Sequence, residues 1–197
     1  MKIHQVINSF YSSNSYILYN DTNDAYIVDC GDTSQIISWL LEKKKTLKAI
    51  FITHTHFDHI YGLNDLLEVY KDLFVYTSYF GKEALFDSRK NISFYHEQEF
   101  YFQYKQVEIV EDRTVLSLWD GIELRVYETK GHDKSCLTYA ISDYLFTGDS
   151  YIPRLKIVTT LPNSDKGDAI KSERLIKSLI NGNTIVCPGH GEIMKNK

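Results

Sequence analysis

The segment Thr53-His54-Thr55-His56-Phe57-Asp58-His59 constrains this chain more than any other. It holds three of the seven histidines and follows directly on the apolar run Ala49-Ile50-Phe51-Ile52, which reads as a short buried strand. A strand end is a rigid launching point, and the turn after it can aim several side chains into one volume. Imidazole nitrogen and carboxylate oxygen suit zinc, iron and manganese. His54, His56, Asp58 and His59 are more ligands than one ion with an open position can use, so two adjacent ions are expected. The ordinary alternative is a solvated polar turn, and the apolar strand before it and Gly62 after it weigh against that. Two further histidines sit in Gly-His steps, Gly131-His132 and Gly189-His190, and only His4 and His96 lie outside these clusters.

The remaining composition narrows the class. A chain of 197 residues is slightly longer than a typical domain of ~150, so residues 1–197 read as one domain. With 43% hydrophobic residues, 24% charged and three prolines, there is material for a core and little sign of long disorder. The net charge of −4 argues against a nucleic-acid binder, which needs a basic face. No segment approaches the ~18 apolar residues of a membrane span, and the start Met1-Lys2-Ile3-His4-Gln5 lacks a signal-peptide core. Cys30, Cys136 and Cys187 are odd in number and widely separated, which fits a reducing cytoplasm and a role as small buried hydrophobes. The expected partner is a small-molecule substrate, with neither nucleic acid nor membrane; oligomeric state leaves no mark.

Local patterns place the elements. Strands are expected at residues 3–7, 16–19, 25–28, 49–52, 73–76, 107–110, 114–118, 122–128, 137–141, 144–146 and 184–187. Ile36, Ile37, Leu40 and Leu41 mark a helix that Thr33 or Ser34 could cap. Further helices are expected at 63–70, 78–89 and 169–180, the last after a turn-rich loop at 161–168. Residues 91–106 carry many aromatics without a period, and read either as a lid or dimer patch or as ordinary packing. Strands, βα units, more strands and a closing helix and strand suggest stacked sheets with helices outside.

The motif Thr53 to Gly62 resembles the metallo-β-lactamase superfamily, in its glyoxalase II-like branch, whose signature T-H-x-H-x-D-H-x-x-G it matches at every fixed position. Gly131-His132, Phe146-Thr147-Gly148-Asp149 and Pro188-Gly189-His190-Gly191 follow in the family's order, and the likeness begins at Val28-Asp29-Cys30-Gly31-Asp32. The resemblance implies an α/β fold, a four-layer αββα sandwich. It implies that His54, His56 and His132 hold a first ion, that Asp58, His59 and His190 hold a second, and that Asp149 bridges them. Zinc is the first choice, with iron or manganese accepted by the same donors. The implied chemistry is hydrolysis by a hydroxide shared between the ions, with Asp58 and Asp149 the carboxylates closest to it. Aspartate at 149, together with His59, sets the chain apart from the classical β-lactam-hydrolysing members.

Two departures stand out. Lys130 replaces the proline usual before the third ligand, and only seven residues follow His190, too few for the helical extension that grips glutathione in glyoxalase II. The expected activity is therefore that of a cytoplasmic metal-dependent hydrolase of a small thioester or ester. The alternative is a persulfide dioxygenase, which would use one iron at His54, His132 and Asp149. Tyr151, Arg154 and Lys156 follow Asp149 closely and are candidate substrate contacts, the cations for an anionic group. Asp29 is a candidate partner for a ligand histidine.

Overall fold

The computed structural model describes residues 1–195. A first six-stranded sheet has the spatial order β1 (Lys2–Ile7), β2 (Asn14–Tyr19), β3 (Asp24–Val28), β4 (Thr46–Phe51), β5 (Phe74–Thr77), β6 (Val107–Ile109). Its first two pairings are antiparallel and the next three parallel. Parallel neighbours need a crossover, and α1 (Thr33–Glu42), α3 (Leu63–Val69) and α4 (Tyr79–Leu85) lie on those connections. The second sheet contains β7 (Val115–Trp119), β8 (Ile122–Glu128), β9 (Leu137–Ile141), β10 (Tyr144–Gly148), β11 (Ile185–Pro188) and β12 (Met194–Lys195), neighbours in chain order. Only β10 and β11 pair in parallel, and α5 (Lys166–Leu179) joins them.

Side-chain alternation in the first sheet explains its apolar runs. Ile17, Ile27 and Ile50 point to one core with Ile36 and Leu40 of α1 and Leu63, Leu66 and Leu67 of α3. Their neighbours Leu18, Val28 and Phe51 point to a second core, shared with Leu124, Val126, Tyr139 and Phe146 of the other sheet. A strand covered on both faces needs apolar residues at every position. α5 turns Ala169, Ser172 and Ile176 inward, completing the αββα order.

Several boundaries differ from expectation. Asp32, not Thr33 or Ser34, occupies the N-cap of α1, and its carboxylate accepts from Ser9, Gln35 and Tyr61 instead of capping the helix. α5 begins at Lys166, where the Asp165 side chain accepts from the Asp168 amide at 2.8 Å. α4 stops at Leu85, and the chain then turns around buried Asn91, whose side-chain amide donates to the carbonyls of Ala84 and Phe100. That amide pins the aromatic stretch: Phe100 and Phe102 join the first core, while Tyr95 stays exposed. Among the described residues, no helix is long and apolar enough to cross a membrane.

Candidate metal centre

Four strand ends converge. Asp29 follows β3, residues 53–56 follow β4, Asp149 follows β10 and His190 follows β11. These are the carboxyl ends of parallel-paired strands, where open α/β sheets form their crevices. His132 joins from the β8–β9 connection, and α2 (Phe57–Ile60) carries Asp58 and His59. The hairpin ahead of β2 clamps the far side: the Asn14 amide donates to the Gly189 carbonyl at 2.7 Å, and its side chain donates to Pro188 and Gly191. Gly189 is required by close approach, since a Cβ there would lie 2.0 Å from Asp149 Oδ1.

All seven motif side chains meet. Donor atoms within 4.8 Å of one another form three sets: His54, His56 and His132; Asp58, His59 and His190; and His54, His59 and Asp149. His132 Nε2 lies 3.0 Å from His56 Nδ1, and His59 Nε2 lies 3.4 Å from His190 Nε2. Asp149 faces both groups, with an oxygen 3.6 Å from His132, 3.4 Å from His190 and 3.8 Å from His59. Asp58 Oδ2 is 3.2 Å from His190 and 3.4 Å from His59.

Outside the cluster, each ring meets a protein group that fixes its orientation. His59 Nδ1 is 2.9 Å from Asp29 Oδ2, His132 Nδ1 is 2.9 Å from the Val158 carbonyl, and His190 Nδ1 is 3.1 Å from the Tyr11 carbonyl. Thr53 Oγ1 lies 3.2 Å from His54 Nδ1. His56 presents Nδ1 to the cluster and Nε2 to Asp133, 3.4 Å away. Such outer contacts select the tautomer that leaves the inner nitrogen free to ligate. Asp29 also accepts from the Thr53 amide and hydroxyl, both at 2.7 Å, so one buried carboxylate ties the start of the histidine segment to its end.

The electrostatics suit cations. His54 Nε2 and Asp149 Oδ1 are buried without a hydrogen-bond partner, a costly state that an ion relieves. Burial and the surrounding imidazoles hold His54 well below the ordinary histidine value, and so neutral. Burial opposes charge on His59, but Asp58, Asp29 and Asp149 outweigh it and raise the ring to about 9. At His190 burial is likewise outweighed by Asp149 and Asp58, to about 10. His190 and the neighbouring imidazoles overcome burial at Asp149 and hold its carboxyl far below the usual range.

Both raised values exceed the ordinary 6.5. Without an ion, these contacts therefore contribute stability in full below pH 6.5 and lose it as the pH rises through 9 to 10. An ion needs both rings neutral, so loading metal-free protein with zinc at pH 7.5 is expected to release at least about two protons. Calorimetric heats in buffers of different ionisation enthalpy read that number; no buffer dependence would contradict it.

The site opens into a cavity of about 600 Å³. His56, Asp58, His132, Asp149 and His190 form its floor, and Tyr11 with residues from the 92–96 and 158–162 segments form its walls. Tyr151, Arg154 and Lys156 are not among its lining residues. Arg154 borders a separate cleft beside His190, and Lys156 a small one beside His132 and Asp149. Tyr151 packs by Lys177, with the ammonium 6.0 Å from its ring centre. Sequence reasoning missed Asp133, although it directly follows His132, and the wall made by Tyr11 and residues 158–162; the other wall, 92–96, lies in the aromatic stretch for which a lid was one of the readings.

A family model described as the metallo-beta-lactamase superfamily matches residues 9–190. A probable metallo-hydrolase of Streptococcus pyogenes serotype M6 is 29% identical over 97% of this chain and 84% of its own length. A hydroxyacylglutathione hydrolase of Buchnera aphidicola subsp. Schizaphis graminum is 30% identical over 68% of this chain, which spans about half (46%) of that relative. Among solved structures, the BLEG-1 B3 metallo-beta-lactamase superposes with a TM-score of 0.90 at 26% identity, covering 98% of this chain and 93% of its own.

Proposed function

The chain belongs to the metallo-beta-lactamase superfamily, and from that premise we propose that it is a dinuclear metal-dependent hydrolase of small thioesters or esters. The observation that carries this reading is the convergence of two complete triads on either side of one carboxylate. His54, His56 and His132 would hold one ion and Asp58, His59 and His190 the other, with zinc the first candidate. Asp149 would span them, since its two oxygens face both groups. When bound, two such ions supply a water deprotonated near neutral pH and polarise the carbonyl it attacks.

The protein's own part is to hold these donors in the right charge state and place. Asp58 stays ionised, because His59 and His190 overcome the burial of its carboxyl. Asp29 keeps His59 Nδ1 occupied, so that Nε2 faces inward. A thioester fits this site because its thiolate, with a pKa of ~8.5, departs without a protein acid.

The test is a panel assayed with zinc- and manganese-loaded protein: S-lactoylglutathione, neutral thioesters, lactones, phosphodiesters and a β-lactam. The expected result is turnover of a thioester or ester that tracks metal content and is lost in His56→Ala. Oxygen uptake with a persulfide, at one iron per chain, would replace this reading with the dioxygenase. The β-lactam belongs in the panel because of the similarity to BLEG-1.

A further inference from the structure

The walls of the cavity over the triads are largely apolar. Among the described residues, none of those lining it is a lysine or arginine, and its acidic and imidazole groups, apart from His96, all belong to the floor. Tyr11, Tyr95, Val158 and Leu161 are 65%, 64%, 48% and 37% exposed. Four large apolar side chains left open around one mouth mark a binding surface, because they forgo hydrophobic burial until a ligand covers them. His96 extends the wall inward, stacked on Phe57 at 5.3 Å and edge-on to Phe10 at 5.4 Å.

The walls are also fixed to the reacting centre. The Val158 carbonyl holds His132 Nδ1, and Ser164 Oγ donates to the His132 carbonyl at 2.7 Å. Asn163 ties that loop to the other wall by donating to the Lys90 carbonyl. Ile92 lines the cavity with a left-handed backbone, φ 59°, a conformation a β-branched residue adopts only where its surroundings enforce it. Asn91 enforces it, bonding Ala84, Ser93 and Phe100.

We infer that this cavity takes an uncharged apolar group of the substrate, carried on either side of the scissile bond, and that Tyr95, Val158 and Leu161 select it. The inference rests on the thioester or ester reading and names its substrate class; anionic thioesters of the glutathione kind are disfavoured by walls without a cation.

Two substrate series with loaded protein test it. In one, the acyl group of an N-acetylcysteamine thioester grows from acetyl to hexanoyl; in the other, the acetyl group stays and the thiol gains apolar carbons. kcat/KM is expected to rise at least ~10-fold along one series, as added methylenes do in an apolar pocket. The glutathione thioester of the better acyl group is expected to gain nothing over its neutral counterpart. Flat rates along both series, or a preference for glutathione, overturn the inference.

Equilibrium binding of the neutral fluorophore N-phenyl-1-naphthylamine gives a readout independent of turnover. Leu161→Asp and the more exposed Tyr95→Glu are each expected to weaken it ~10-fold, at unchanged metal content and thermal midpoint. Wild-type protein that does not bind the probe, or variants that bind it equally well, overturn the cavity assignment. Probe binding that depends on Leu161, without hydrolysis of any thioester or ester, leaves the cavity assignment standing and removes the reading of the reaction.

Discussion

Asp149→Ala is expected to lower kcat/KM by well over ~100-fold, since even a group that only orients a ligand is worth 10–100-fold in metal affinity or activity. The reason is geometric. Among the described residues, Asp149 is the single carboxylate within 4 Å of His59, His132 and His190 together, so its loss removes the link between the two triads. It also removes one of the charges that offset the burial of those imidazoles, leaving Asp58 and Asp29 at His59 and Asp58 at His190. Asp149→Asn, which keeps the shape but loses the charge, is expected to fall nearly as far. Steady-state assays with metal content measured on the same samples check both. Full activity in either variant would show that the carboxylate is a turn residue.

The second large effect is expected at a residue that touches no ion. In Asp29→Asn one oxygen replaces two: at Oδ1 it keeps only the Thr53 amide, at Oδ2 it keeps the Thr53 hydroxyl and His59, and in either orientation the NH2 group faces a donor and the negative charge is gone. Asn tolerates the left-handed backbone at this position, φ 59°, as well as Asp does, so the fold is expected to survive. With His59 Nδ1 deprived of a charged acceptor, and of any acceptor in one of the two amide orientations, affinity for the second ion is expected to drop about 10–100-fold. Competition with a chromophoric chelator reads this directly. A loss confined to thermal stability, with zinc affinity unchanged, would assign Asp29 to packing alone.

The candidate ligands, whose side chains the fold brings together, were legible because their chemistry is local. Strand ends followed at once by His or Asp, as at Ile52 to His54 and Phe146 to Asp149, announce themselves in the sequence. So did the αββα order, because both-face burial makes Leu18, Val28 and Phe51 as apolar as Ile17, Ile27 and Ile50. What was not legible depends on contacts made at long range. Asp32 looked like a residue before a cap, and its use by Ser9 and Tyr61 needs the folded hairpin. The two-residue β12 and the four-residue α2 are too short to carry a period. The cavity joins segments some sixty residues apart, tied by Asn163 to Lys90. Arg154 and Lys156 were candidates by nearness in sequence to Asp149; Arg154 borders a cleft beside His190 and Lys156 a small one beside His132 and Asp149, while of residues 152–158 only Val158 lines the main cavity.

The most direct measurement is elemental analysis of the purified wild-type chain, paired with anomalous diffraction at the metal edge. Two ions per chain are expected, one among His54, His56 and His132, the other among Asp58, His59 and His190, with Asp149 in contact with both. One ion, or ions bound away from these side chains, would contradict the account.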